Sequence, residues 1–330
     1  MKEELIISGR ENFLIDPYIH IWEWQIPVYL FIGGLAAGLI FFSSLYFIQG
    51  KEEKMPFIVK IIPTLVPLLL VFGLFALFLD LKHKLYFWQL YTTIKLESPM
   101  SWGAWTLMIV TPLSIVWSLS YLKEIFEHWQ KNYPLLYKLT SWIEKLILRL
   151  GIFRSIIKLG IKQRKPIAWI MLVMSVILGI YTGILLSAFN ARPLWNTSIL
   201  GPLFLVSGFS TAAATILLFT KDKSEQKLFS KIDLLLIAIE IFLIIHLFMG
   251  FLASTTVQIE AAQLFLGGPF TVSFWVFVVF IGLIIPAILE VLELKGFHIP
   301  VAIPAILILI GGLILRFIIV EAGQITRYLY

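Results

Sequence analysis

The sequence predicts an all-α integral membrane protein: eight transmembrane helices in two parallel-repeat four-helix bundles, with both termini extracytoplasmic. Three observations predict it. Of 330 residues, 59% are hydrophobic and only 14% charged, whereas soluble domains run near about one quarter charged. Eight apolar runs are each long enough to cross a bilayer as a helix, which takes about 20 residues. A stretch of the first run recurs in the fifth. The mean hydropathy of +0.93 leaves too much apolar surface for one globular core, so lipid must solvate most of the polypeptide.

The runs are 24–49, 57–80, 103–122, 166–188, 199–220, 232–253, 270–291 and 299–321. Of the 26 Lys and Arg, 18 lie in the loops 51–60, 123–165 and 221–231 and at position 295. That set is expected to face the cytoplasm. Residues 1–23 and 322–330 then lie outside a cell membrane that the polypeptide crosses many times. Glu3, Glu4, Glu11 and Asp16 make the start unlike a secretory signal peptide. The net charge of +6 is read as an orientation signal among membrane lipids, with no nucleic-acid partner.

Seven of the 11 tryptophans (Trp22, Trp24, Trp88, Trp102, Trp105, Trp195 and Trp275) fall at predicted outer ends. Indoles favour the headgroup level, and this concentration suggests a face shaped to receive something. Within 123–165, Leu135, Leu136, Leu139, Trp142, Ile143, Leu146, Ile147 and Leu150 recur at helical spacing. Lys138, Lys145 and Arg149 lie toward the other face. An amphipathic helix near 134–150, lying on the inner surface as a brace, is expected.

The repeat is direct. Pro27-Val-Tyr-Leu-Phe-Ile-Gly33 lies on Pro202-Leu-Phe-Leu-Val-Ser-Gly208 without a gap, and small residues follow in both. The fourth and eighth runs share Gly183-Ile-Leu-Leu and Gly312-Leu-Ile-Leu. Four crossings separate the copies, so both point the same way. This predicts bundles over 24–188 and 199–321, joined by an outer loop at 189–198. The Gly and Ala stretches serve close helix packing.

The sequence has no cysteine, which removes disulfides, thiol catalysis and cysteine-held zinc or iron–sulfur clusters. Of five histidines only His246 falls within a span, so no pair stands at one depth to ligate haem. Any redox role would then need a diffusible carrier and a partner subunit. Asp80 closes the second run, and His83 and Lys84 follow at helical spacing, so all three can share a face. A carboxylate beside an imidazole can relay protons; the plainer alternative is an Asp80–Lys84 ion pair. Glu240 lies about 12 Å into its run and Arg316 roughly 26 Å into its own. At those depths they would not pair. Glu240 then reads as bonded to a hydroxyl or water, with a proton path as the alternative.

A quinone pocket needs an apolar slot, donors for two carbonyl oxygens and a proton-exchanging group. Gln25 and Tyr29, four apart, share a face at the outer end of the first run, and Tyr181 stands near the outer end of the fourth. Asp80 and His83 lie at about the same depth. Each tyrosine alone would be an interfacial anchor; their coincidence points to quinone or quinol.

The ordered set of motifs is Trp24-Gln-Ile-Pro-Val-Tyr-Leu-Phe-Ile-Gly-Gly-Leu-Ala-Ala-Gly38, Asp80-Leu, Ser98-Pro-Met-Ser-Trp-Gly-Ala-Trp105, Tyr181-Thr-Gly-Ile-Leu-Leu, Ala191-Arg-Pro-Leu-Trp-Asn196, Ser207-Gly-Phe-Ser-Thr211 and Gly323-Gln324. With these the sequence resembles the NrfD/PsrC family, the membrane subunits of polysulfide-reductase-like complexes, over nearly its whole length. The resemblance implies eight spans in two bundles without a redox metal, hence no haem and no iron–sulfur cluster in this polypeptide. It implies a quinone or quinol, of menaquinone type, near the outer surface of the first bundle. An extracytoplasmic iron–sulfur subunit would dock there, often completed by a molybdopterin catalytic subunit. The family's quinone ligands most nearly match Gln25, Tyr29 and Tyr181. Asp80, His83 and Glu240 are the candidate proton-handling residues. Relatives commonly follow Asp-Leu with a Gly-Arg-Pro-like stretch; here Lys82-His83-Lys84 stands instead, so the resemblance lends His83 no support. Two other readings stay open: a secondary transporter built from duplicated bundles, and a membrane anchor with the quinone bound elsewhere.

Overall fold

The computed structural model describes residues 21–326. Eight helices are long and apolar enough to cross a membrane, and no strand occurs among the described residues. The spans are α1 (Gln25–Ile48), α2 (Phe57–Asp80), α3 (Pro99–Ser120), α7 (Arg164–Ser187), α8 (Leu200–Phe219), α9 (Lys223–Leu252), α11 (Ser273–Leu294) and α12 (Ala302–Ile325). Between α3 and α7 run α4 (Leu122–Asn132), α5 (Pro134–Arg149) and α6 (Gly151–Lys162), and α10 (Thr256–Gln263) lies between α9 and α11.

Two spans are not regular. α2 opens with a π turn at Phe57–Ile61 and a 3₁₀ turn at Ile62–Thr64, and α11 is π-helical over Ser273–Ile284 before regular helix resumes. A proline stands at each change of register, Pro63 and Pro286, and withholds the N–H that an α-helix would use.

Spans α1 and α8 form the centre, each with 72% of its apolar window buried, against 33% for α2, α9 and α11. α1 packs on α2, α7 and α8, and α3 packs on α7. α8 packs on α9 and α12, and α11 packs on α12. The α1–α8 crossing is set by glycine. A Cβ on Gly208 would lie 2.8 Å from the Gly34 carbonyl oxygen, and one on Gly38 2.5 Å from Ala212 Cβ. No larger residue lets the backbones meet there, which is how helices associate in lipid, where apolar burial alone drives little.

The two ends of the molecule differ. At the tryptophan-rich end, Gln324 Oε1 accepts from the N–H groups of Ile21 (3.0 Å) and Trp22 (2.9 Å), and its Nε2 donates to the Trp22 carbonyl. Arg192 donates to the carbonyls of Gln324 and Thr326, and Trp195 Nε1 to that of Ile319. The start of α1, the connection 189–198 and the end of α12 are thus fastened together. At the basic end, Leu119, Leu122 and Phe126 pack with Ile147, Phe153 and Ile156, holding α4–α6 to the foot of α3. α5 leaves Leu135, Leu139, Trp142 and Leu146 exposed, the pattern of a helix lying on a membrane surface.

Candidate functional site

Near the tryptophan-rich end, α1 and α7 bring two phenols together. Tyr29 and Tyr181 are buried, at 4% and 7% exposure, and their hydroxyls face one another. Glycines in the neighbouring spans make the room. The Tyr181 ring lies across Gly103 of α3, where any Cβ would overlap it. The Tyr29 ring lies against α2, with Cδ2 3.7 Å from where a Cβ of Gly73 would stand. Asp80 is seven residues, about two turns, beyond Gly73, so it continues the same face toward the surface. It is half-buried and feels Glu23 at the start of α1.

Gln25 sits one turn before Tyr29, and its Oε1 is buried with no hydrogen-bond partner among the described residues. A buried amide oxygen without a donor is costly, and it marks where a ligand hydroxyl would be welcome. Tyr91, from the single helical turn Gln89–Thr92, adds a third phenol facing Tyr29; burial pushes its pKa up. It lies in a loop to which sequence reasoning assigns no chemistry, and only folding brings it to the site.

His83 departs from expectation. The helix stops at Asp80 because Leu81 is extended, with ψ 124°. His83 and Lys84 therefore do not continue the Asp80 face at helical spacing. His83 is exposed and lines a separate cavity of about 420 Å³ with Tyr86, Lys95 and Ser101.

The second half holds a column of charge. Arg316 of α12 is 1% exposed. Its Nη1 donates to Ser207 Oγ (2.5 Å) and the Gly312 carbonyl (3.2 Å), and its Nη2 to the Phe204 carbonyl (3.1 Å). The guanidinium also covers the Phe204 ring at 4.7 Å. Glu240 of α9, 2% exposed, faces both Ser207 and Arg316. Among the described residues the two form no direct ion pair, in line with the expectation, but they stand closer in depth than the apolar runs imply. α9 begins at Lys223 and not at 232, so Glu240 sits deeper than the apolar run implies. Ser207 is the hydroxyl that faces it.

Nearer the basic end, Ser210 Oγ donates to Asp233 Oδ1 at 2.6 Å, and Glu290 of α11 faces the same carboxylate. Both acids are fully buried. Sequence reasoning passes over Asp233 and Glu290, although a carboxylate inside each of the runs 232–253 and 270–291 is signal enough. Among the described residues, no group of three or more His, Asp and Glu is placed to hold a metal ion.

The sequence matches the family described as "Polysulphide reductase, NrfD" over residues 14–327. It belongs to the NrfD family. Protein NrfD of Escherichia coli is 31% identical over 93% of this polypeptide and 96% of that protein. The polysulfide reductase C subunit of Wolinella succinogenes is 30% identical over 92% and 94%. A Haemophilus influenzae protein named as an NrfD homolog is 29% identical over 93% and 95%. Membership of this family and eight apolar helices make this a multi-pass membrane protein.

The residues present fit the quinone expected of the NrfD family. Two buried phenols offer donors, the unpartnered Gln25 oxygen offers an acceptor, and Asp80 stands between them and the surface. These four residues arise on α1, α2 and α7, which are otherwise largely apolar, and that suits the ring.

Proposed function

We propose that this protein is the quinone-reactive membrane subunit of a respiratory oxidoreductase. It would bind quinone or quinol between α1, α2, α3 and α7 near the extracytoplasmic surface. There it would exchange electrons with an extrinsic iron–sulfur subunit, itself coupled to a molybdopterin catalytic subunit. The observation that carries this reading is the Tyr29–Tyr181 phenol pair beside an orphaned Gln25 carbonyl. Kinship with a protein named as one component of polysulfide reductase supports partners in a larger complex. The matching neighbour patterns, α1 with α2 and α7, and α8 with α9 and α12, support two repeated four-helix units.

A bound quinone supplies two-electron, two-proton chemistry. The protein's own part is to position donors and protons. Tyr29 and Tyr181 donate O–H groups to a carbonyl oxygen, and Gln25 Oε1 accepts from a quinol hydroxyl. Asp80, half-buried at the end of α2, exchanges protons between this pocket and the surface. His83 lies further out and would act only through solvent. The lysine-rich loops at the opposite end support an extracytoplasmic position for this one, and the tryptophan-rich face, with the connection 189–198 and α10, would receive the partner.

Tyr181→Phe tests the reading. Quinone-linked turnover of the assembled complex should fall about tenfold or more, the range of one lost hydrogen-bonding or proton-transfer group, with assembly intact. Unchanged turnover would reject the site.

The column Glu240, Arg316, Asp233 and Glu290 favours a second reading, ion passage through the second half, as in a secondary transporter. In the quinone reading Glu240 would instead link turnover to protons from the far side. Solute uptake by the protein alone in liposomes would select the transporter.

A further inference from the structure

We propose that the basic end holds one anionic glycerophospholipid, its tails between α2, α3 and α5 and its phosphate at His128, Lys131 and Lys221. Two cavities abut there, of about 580 and 470 Å³, and share Phe57, Ile61, His128, Tyr133 and Phe219. Each has the size of a small-ligand site, and together they are amphipathic. The larger is walled almost wholly by apolar side chains. Two of its hydroxyls are already used: Thr64 donates to the Ile61 carbonyl and Ser118 to that of Ser114. It gives a hydrocarbon tail a matching wall and a quinone ring few donors.

The smaller cavity is where charge gathers. Lys131 and Lys221 flank His128, and burial together with these two ammonium groups holds its imidazole below the ordinary histidine range. Carboxylates also line the cavity, Glu124, Glu127, Asp222 and Glu225 beside Lys60, Lys131 and Lys221. Asp222 caps α9 by accepting from Ser224 N–H, Glu225 accepts from the Thr220 hydroxyl, and Glu127 lies 3.9 Å from Lys123. Glu124 remains, while Lys60 is matched by Glu53 at 2.8 Å. Of the charged groups lining the cavity, Lys131 and Lys221 are the ones whose field reaches His128, and a phosphate seated beside them would relieve it. Lys221 is already steered there, donating to Asn132 Oδ1 at 3.3 Å and lying 5.5 Å over the Tyr133 ring.

Position and wider charge agree. Exposed Leu135, Leu139 and Trp142 hold α5 at the membrane surface, so the cavities open at headgroup depth. The segment 123–165 carries ten Lys and Arg against three Glu. Basic pockets between spans are where anionic headgroups bind.

Native mass spectrometry of the full-length protein, with phosphatidylglycerol or phosphatidylcholine added to the detergent, tests this. One phosphatidylglycerol should be retained and phosphatidylcholine lost. Lys131→Gln with Lys221→Gln should lower that retention about tenfold, and Thr64→Phe, which fills the apolar cavity, should abolish it. Equal retention of the two lipids, or retention unaffected by these changes, would show an ordinary lipid annulus and overturn the proposal. So would an His128 titration shift by inorganic phosphate equal to that by phosphatidylglycerol, since the tails would then contribute nothing. Comparing the two lipids on the unaltered protein keeps the test decisive if either variant fails to fold.

Discussion

The two halves of the molecule begin with the same kind of helix and put polar groups to different use. In the first half, α1, α2 and α7 gather neutral phenols and an amide close to one surface, leaving Gln25 Oε1 unmatched. In the second, α8, α9 and α12 bury a guanidinium and carboxylates deep in the span, where Arg316 donates to Ser207 beside Glu240. Both sets leave buried groups without a partner: Gln25 Oε1 in the first, and Asp233 Oδ2, both Glu290 carboxylate oxygens and Arg316 Nε in the second. A neutral pocket can release and rebind a neutral carrier at little electrostatic cost, whereas a buried charge must keep its partner. On the proposed reading, chemistry on a diffusible quinone falls in the first half, and the second half holds the two halves together or handles protons.

The largest effect should come from breaking the second half. Arg316→Met leaves Glu240 without its countercharge and should cost about 3–5 kcal/mol, enough to abolish folded protein. Thermal unfolding in detergent should show partial recovery when Glu240→Gln is added, which an independent role for either residue would not give. Next is Gly103→Ala in the first half. The new methyl must push the Tyr181 ring aside, so quinone-linked turnover should fall more than tenfold, while overpacking costs only about 1–3 kcal/mol. A variant that loses stability but keeps turnover would show that Tyr181 is not held for the quinone.

Smaller effects sharpen the contrast between the ends. Gln324→Ala removes three hydrogen bonds to the start of α1. It should lower stability by about 1–3 kcal/mol and loosen Gln25, which limited proteolysis near residue 21 would register. The smallest concerns His128. Its imidazole is held below the ordinary value of 6.5, so the native state resists protonation more than the unfolded state does. Stability should be present at neutral pH and decline as pH falls through about 6.5. His128→Gln should flatten that slope.

Much of the architecture is legible in the sequence because lipid imposes a simple rule: a helix of about 20 apolar residues satisfies its own backbone and crosses. All eight spans obey it. Where charged residues prolong a helix beyond the bilayer the rule gives no warning, so α9 starts earlier than its apolar run and Glu240 lies deeper than that run implies. Where a helix stops, spacing loses its meaning, as at Asp80 and His83. The small-residue stretches of α1 and α8 are readable as packing surfaces, though not as each other's partners.

Sequence alone determined that this protein crosses a membrane eight times, which loops are basic, and that Gln25, Tyr29, Tyr181 and Asp80 are polar groups near one depth. Those properties are local, fixed by composition and helical rise. Tertiary structure alone decided that Tyr29 meets Tyr181 across α1 and α7, that Gly103 makes room for the phenol, and that Arg316 bonds Ser207 beside Glu240. These contacts join residues from spans far apart in sequence, and which faces meet depends on how glycine-lined backbones cross, which no single helix specifies.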